Sequence, residues 1–172
     1  LPTFNLPHPF DDGPPRLKSQ WELTAGWSTV GGALGGVALA TGVEIEIARG
    51  ARGDDLILGG GIDNTLYGGA GRDRIFSRRG DDVLYGGGGA DSLVGAARDL
   101  IYGGAGDDWM TGGHDTRVWG GAGEDVSTRV REAHGGAGND RLSSERAAWG
   151  DAGDDVIHAS WEAYGGAGDD RL

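Results

Sequence analysis

Residues 68–91 read GGAGRDRIFSRRGDDVLYGGGGAD, and the unit that builds the chain can be taken from this stretch. Gly-Gly-x-Gly-x-Asp is followed by one residue, a large apolar residue and one more, and then the next turn begins. The hexapeptide recurs without deviation at 68–73, 86–91, 103–108, 120–125, 135–140 and 165–170, and with one substitution at 50–55 and 150–155. Weaker turns stand between the strong ones at 59–64 (GGGIDN), 77–82 (SRRGDD), 95–99 (GAARD) and 112–116 (GGHDT). Self-similarity at a fixed short period marks a solenoid, in which each unit buries its apolar face only against the next.

The strong turns start at 50, 68, 86, 103, 120, 135, 150 and 165, so successive starts are 15 to 18 residues apart. Two nonapeptides therefore make one coil. The expected fold is all-β: a right-handed parallel β-roll, a β-helix-like solenoid with two short strands per 15–18-residue coil. The strong turns line one edge, side A, and the weaker turns the other, side B. Side B shrinks along the chain to the six-residue links 129–134, 144–149 and 159–164. The apolar position is expected to point inward. It is filled on side A by Ile57, Ile75, Leu93, Met110, Leu142, Ile157 and Leu172, with Ser127 as the departure, and on side B by Leu66, Leu84, Ile101, Val118, Ala133, Ala148 and Ala163. The change to alanine coincides with the shortened links, as a narrower interior requires.

Composition excludes several alternatives. The 172 residues include 37 glycines, too many for a helical or α/β domain, since glycine costs roughly 1 kcal/mol per helical position. No cysteine is present, so disulfides and thiolate metal sites are excluded. With 27 acidic against 15 basic side chains, the net charge of −12 disfavours nucleic acid and anionic membranes and favours cations. No apolar run approaches the ~20 residues of a membrane span. Residues 1–21 hold all five prolines and read as an extended arm. Residues 22–49 alternate apolar and polar residues around glycines and are expected to form a β cap leading into the roll, which occupies 50–172.

One aspartate at a fixed place in every coil would stack carboxylates about 5 Å apart, the interstrand spacing, and like charges that close repel strongly. Glycine turns aim backbone carbonyls at common points, and carbonyls with carboxylates are the oxygen set that Ca2+ takes with 6–8 ligands. Calcium between successive turns resolves the repulsion. The carboxylate pairs Asp54/Asp55, Asp81/Asp82, Asp107/Asp108 and Asp154/Asp155 repeat positions five and six of the motif, so they carry no signature of acid/base catalysis.

Across 50–172 the chain resembles the RTX calcium-binding repeat. The resemblance implies that each turn offers calcium its position-six aspartate and carbonyls of its first four positions, in sites shared with the neighbouring turns. On side A these are Asp55, Asp73, Asp91, Asp108, Asp125, Asp140, Asp155 and Asp170. The implied carbonyls are those of Gly68, Gly69 and Gly71; Gly86, Gly87 and Gly89; Gly103, Gly104 and Gly106; Gly120, Gly121 and Gly123; and Gly135, Gly136 and Gly138. The stretch from Leu23 to Ile75 also resembles the start of the C-terminal roll domain of serralysin metalloproteases, which implies a side-B row of Glu46, Asn64, Asp82 and Asp99 that Thr116 interrupts. Together the two edges imply up to about ten calcium ions.

The resemblance implies a noncatalytic, calcium-folded module of a secreted bacterial protein, linked to type I secretion. The serralysin zinc helix HExxHxxGxxH is not among these residues: the histidines are His8, His114, His134 and His158, none spaced as ligands. No catalytic constellation is found, although the module could be the appendage of an enzyme. Leu172 falls inside a repeat, so more chain or a partner is expected over that end. The alternative is a structural or adhesive subunit of an extracellular or cell-surface assembly. It rests on one ring per coil just before each side-A turn: Tyr67, Tyr85, Tyr102, Trp119, His134, Trp149 and Tyr164. Two readings of this column stay open, a ladder that stiffens the roll and an exposed strip that contacts a protein or a sugar chain. Arg129, Arg131 and Arg146 gather where side-B acids lapse, either replacing metal charge or simply solvated.

Overall fold

The computed structural model describes residues 46–172 together with the backbone of two earlier strands. The proline-containing arm at 1–21 lies outside the described residues, as does most of 22–45. In chain order the strands begin with β1 (Glu22–Thr24), β2 (Gly35–Ala38), β3 (Ile47–Arg49), β4 (Asp55–Leu58) and β5 (Thr65–Ala70). They continue with β6 (Arg74–Phe76), β7 (Val83–Gly88), β8 (Ser92–Val94), β9 (Leu100–Ala105) and β10 (Trp109–Thr111). The last five are β11 (Arg117–Ala122), β12 (Val126–Ala137), β13 (Arg141–Ala152), β14 (Val156–Ala159) and β15 (Glu162–Ala167).

Every strand pair is parallel, and up to β11 the pairs join alternate strands, so odd and even strands form two columns, β1-β3-β5-β7-β9-β11 and β2-β4-β6-β8-β10, which meet in β12; β12 then pairs with β13, and β13 with β14 and β15. Partners sit one coil apart: Tyr67 with Tyr85, Ile75 with Leu93, Gly87 with Gly104, Ala133 with Ala148. This is the parallel β-roll. No described helix is long and apolar enough to cross a membrane.

The two-strands-per-coil rule changes toward the C-terminus. β12 and β13 each run 12 residues through the side-B link without a separate turn, with register shifts between Ser127 and Val130 and between Val130 and Glu132. Six residues are too few for a Gly-rich hexapeptide turn and the strand that follows it, so in β12 the backbone bends instead through Arg129, at φ 57°. Side-A turns keep their shape because glycine permits it. Gly89 has φ +123°, and a side chain there would run into the Gly71 carbonyl of the preceding coil.

The interior is one column of stacked apolar side chains. Ile57, Leu66, Ile75, Leu84, Leu93, Ile101, Met110, Val118, Ala133, Leu142, Ala148 and Ile157 are all 0–1 % exposed. Val130, within the link 129–134, is also fully buried and fills space that the shortened turn vacates. The alternation pattern assigned no inward role to it because the register shifts there. Ala163 is only partly buried, and Leu172 is 70 % exposed instead of inward, with neighbours on one side only.

Of the two readings of the aromatic column, the structure has the ladder. Consecutive rings from Tyr67 to Tyr164 stack with centroids 4.4–5.8 Å apart and planes within 12° of parallel. The Arg49 guanidinium lies 4.1 Å from the Tyr67 centroid and covers that end. The ring faces are thus spent on one another, each pair contributing roughly 0.5–1.5 kcal/mol beyond area burial. Of this column only Tyr164 is exposed.

With each short strand contributing a single inward residue, removal of one leaves a void that neither neighbour can fill. Leu93→Ala is expected to lower the stability of calcium-saturated protein by about 2–5 kcal/mol in denaturant titrations, against within about 0.5 kcal/mol for exposed Arg74→Ala.

Candidate metal centres

The position-six aspartates turn inward from the ends of the turns and are buried. Asp73, Asp91, Asp108, Asp125, Asp140 and Asp155 are at most 3 % exposed, Asp55 is 7 % exposed and Asp170 half-buried. From Asp73 onward one carboxylate oxygen of each is fixed by the coil before it, whereas Asp55 Oδ2 accepts from the Ala51 amide of its own turn at 3.1 Å. The Asp73 amide donates to Asp91 Oδ1 at 2.7 Å, Asp91 to Asp108 Oδ1 at 2.8 Å and Asp108 to Asp125 Oδ1 at 2.8 Å. The same bond runs from Asp55 to Asp73 and onward through Asp140 and Asp155 to Asp170. A side chain held this way has one rotamer and presents its second oxygen at one spot.

That second oxygen has no partner. Oδ2 of Asp73, Asp91, Asp108, Asp125, Asp140 and Asp155 on side A, and of Asp82 on side B, is buried without a hydrogen bond. A buried polar atom left so is costly unless something else satisfies it. Beside it stands a small oxygen-lined cradle at the first glycine of the turn. A Cβ added to Gly86 would lie 2.5 Å from Asp91 Oδ2 and 2.5 Å from the carbonyl oxygen of Gly103, the first glycine of the next turn. Gly68, Gly103, Gly120, Gly135 and Gly150 face the same pair of groups in their own turns. A carboxylate oxygen and a carbonyl oxygen from successive turns thus approach one point that no side chain enters. Among the described residues no three His, Asp or Glu side chains converge as a metal cluster. The donor set is carbonyl plus carboxylate, which suits a hard cation and not zinc.

Without a cation the row holds protons. Burial pushes the carboxyls of Asp73 and Asp125 up to about 6 and those of Asp108 and Asp140 to about 7, and it raises Asp91 and Asp155. The backbone amide bonded to each carboxylate pulls the other way, and neighbouring carboxylates add to the rise.

Position five behaves differently. Asp107 is exposed, yet its Oδ1 accepts from the Glu124 amide at 2.9 Å, as Asp54 accepts from Arg72 and Asp154 from Asp169. These side chains latch the following coil from outside, a function that the motif alone did not reveal.

Side B brings its residues together unevenly. Asp82 is buried, with Oδ1 on the Asn64 amide at 2.6 Å, and burial pushes its carboxyl up to about 6. Asn64 Oδ1 accepts from Gly60 N at 2.7 Å. Asp99 Oδ2 accepts two bonds, from Ser77 Oγ at 2.8 Å and Ala96 N at 2.6 Å. Glu46 is half-buried, its carbonyl accepting from the Thr65 amide at 2.6 Å, and the turn before it lies outside the described residues. Thr116 ends the run of acidic and amide side chains at this position: it is fully buried, and its hydroxyl donates to the Ala96 carbonyl at 2.5 Å. Beyond it Arg131 and Arg146 are paired, together with Arg117, whereas Arg129 makes no ion pair among the described residues. Glu132 receives Arg117 at 3.0 Å, Arg131 at 3.5 Å and Arg146 at 3.8 Å, and Arg131 also reaches Asp115 at 3.1 Å.

The raised carboxyls set a pH dependence for metal-free protein. Below about pH 4 both folded and unfolded chains are protonated at these sites. As pH rises the unfolded chain ionises first, so the folded state binds more protons and loses relative stability until about pH 7. Chelated protein is therefore expected to be most structured near pH 4 and to lose β signal by pH 7 in circular dichroism.

A family model of the RTX calcium-binding nonapeptide repeat (4 copies) matches residues 42–75, 58–93, 93–116, 133–146, 148–161 and 162–172. These segments cover well over half of the chain, and the unmatched stretch 117–132 is where the side-B turn shortens to a link. Among curated proteins and among solved structures there is no match. Repeats of this family bind Ca2+, the cation that the oxygen-lined cradles suit. The chain belongs to the RTX calcium-binding nonapeptide repeat family, as a Ca2+-binding parallel β-roll.

Proposed function

We propose that this roll is a noncatalytic module that folds when it binds calcium outside the cell and serves as the stabilising, secretion-linked domain of a secreted protein. The observation that carries the reading is the row of buried, unpartnered Oδ2 atoms on side A. Each is held by an amide bond on its other oxygen and faces a carbonyl of the next turn. The proposed ligands on side A are the position-six aspartates from Asp55 to Asp170 with carbonyls of the first four turn positions. On side B they are Glu46, Asn64 and Asp82.

Linkage gives the reading its biological sense. Where free calcium is far below the dissociation constant, stacked acids oppose folding and a chain with so thin a core stays open, in a form that can be exported. Where calcium is abundant, binding to the folded state alone shifts the equilibrium toward the roll. RTX repeat proteins are generally extracellular, which agrees with this direction of change. A catalytic domain elsewhere in the same polypeptide, as the serralysin resemblance implies, would be stabilised by such a roll. The aromatic column supports partner binding less, since its ring faces are covered by one another.

Two measurements test the proposal. At pH 7 the far-ultraviolet circular dichroism is expected to show β structure in millimolar calcium and its loss in excess chelator; a spectrum that survives chelation unchanged contradicts the folding switch. In calcium titrations, Asp108→Asn is expected to lower affinity by tenfold or more or to remove a cooperative step. Asp107→Asn, which keeps the acceptor for the Glu124 amide, is expected to stay near wild type. Equal effects would mean that calcium is held by diffuse acidity.

A further inference from the structure

Side B differs from side A at one first-position residue. The turns at 68–73, 86–91, 103–108, 120–125, 135–140, 150–155 and 165–170 begin with glycine, whereas the turn at 77–82 begins with Ser77. On side A the space that a first-position Cβ would fill is the cradle between the Oδ2 of that turn and the first carbonyl of the next. Ser77 puts a real side chain into the corresponding place and is fully buried there. Its hydroxyl donates at 2.8 Å to Asp99 Oδ2, the position-six carboxylate of the following side-B turn, which also accepts from Ala96 N at 2.6 Å. Asp99 therefore lacks the unpartnered oxygen that marks the side-A aspartates.

We infer that Ser77 closes the cation site between the turns at 77–82 and 95–99, its hydroxyl standing where a cation would otherwise bridge Asp82 and Asp99. The gap is held by a protein hydrogen bond instead of a metal, so Asp99 is a structural acceptor and not a calcium ligand, and the expected number of ions falls by one. The next gap is closed in a related way by Thr116, whose hydroxyl donates to the Ala96 carbonyl. Ser77 thus fixes where the calcium row of side B stops. This inference rests on the calcium reading above, and its test separates the two.

Calcium stoichiometry is measured by equilibrium dialysis on the full chain as wild type, Ser77→Gly and Ser77→Ala. Folding of each in calcium is checked by circular dichroism. Ser77→Gly restores the residue that begins every side-A turn, frees Asp99 Oδ2 of the hydroxyl and opens the cradle, so it is expected to bind one more ion than wild type. Ser77→Ala keeps the Cβ in the cradle and is expected to bind the wild-type number. Equal, nonzero stoichiometry for wild type and Ser77→Gly overturns the assignment of Ser77 alone, as does a gain in Ser77→Ala equal to that in Ser77→Gly. Absence of binding in all three overturns the calcium reading itself. Anomalous density for calcium between Asp82 and Asp99 in a crystal of wild type also overturns the inference, whatever the variants do.

Discussion

A parallel solenoid places equivalent residues of successive coils directly over one another, so one acidic position in the motif becomes a column of buried carboxylates about 4.8 Å apart. Were all of them ionised, each neighbouring pair would repel by roughly 3 kcal/mol at an effective dielectric near 20. The metal-free chain answers by keeping protons on Asp108 and Asp140 up to about pH 7, and its hydrogen bonds satisfy only one oxygen of each carboxylate on the row from Asp73 to Asp155. Turn glycines, strand lengths and the narrow core are arranged around that column. First-position glycines leave the cradle open, and glycines at positions two and four allow a tight turn to bring carbonyls to it.

The remaining bonds divide the work between the two edges. On side A the coils are tied by Asp Oδ1 to amide bonds inside and by position-five acceptors such as Asp107 outside. On side B hydroxyls and then an ion-pair network take over, from Ser77 through Thr116 to Glu132. Surface ion pairs of this sort contribute little singly. Their place along the shortened links nevertheless matches the point where acidic turns end and β12 and β13 run on unbroken. The stacked rings from Tyr67 to Tyr164 add a third line of contact along the axis, independent of metal.

The sequence made the period, the parallel pairing and most of the inward column legible, because strict spacing leaves only one register in which glycines turn and Ile75 meets Leu93. The long and short edges could be separated for the same reason. Val130 was not legible, since alternation breaks at the positive φ of Arg129, a backbone event that no residue-type pattern announces. The latching role of Asp107 was hidden too: its acceptor geometry depends on a coil 17 residues away. Ser77 carried a visible signal, a serine where glycine opens the strong turns, but its meaning required the position of its hydroxyl against Asp99.

The coupling of the carboxylate column to calcium is tested most directly by locating the ions. A crystal of the protein grown in calcium, with anomalous differences collected at a wavelength where calcium scatters, should show a continuous row of peaks along side A, each between an aspartate Oδ2 and the first glycine carbonyl of the next turn. None should lie within the links 129–134, 144–149 or 159–164. Peaks on the exposed position-five carboxylates with side A empty, or no peaks at all in a fully folded roll, would contradict the dependence of this fold on calcium.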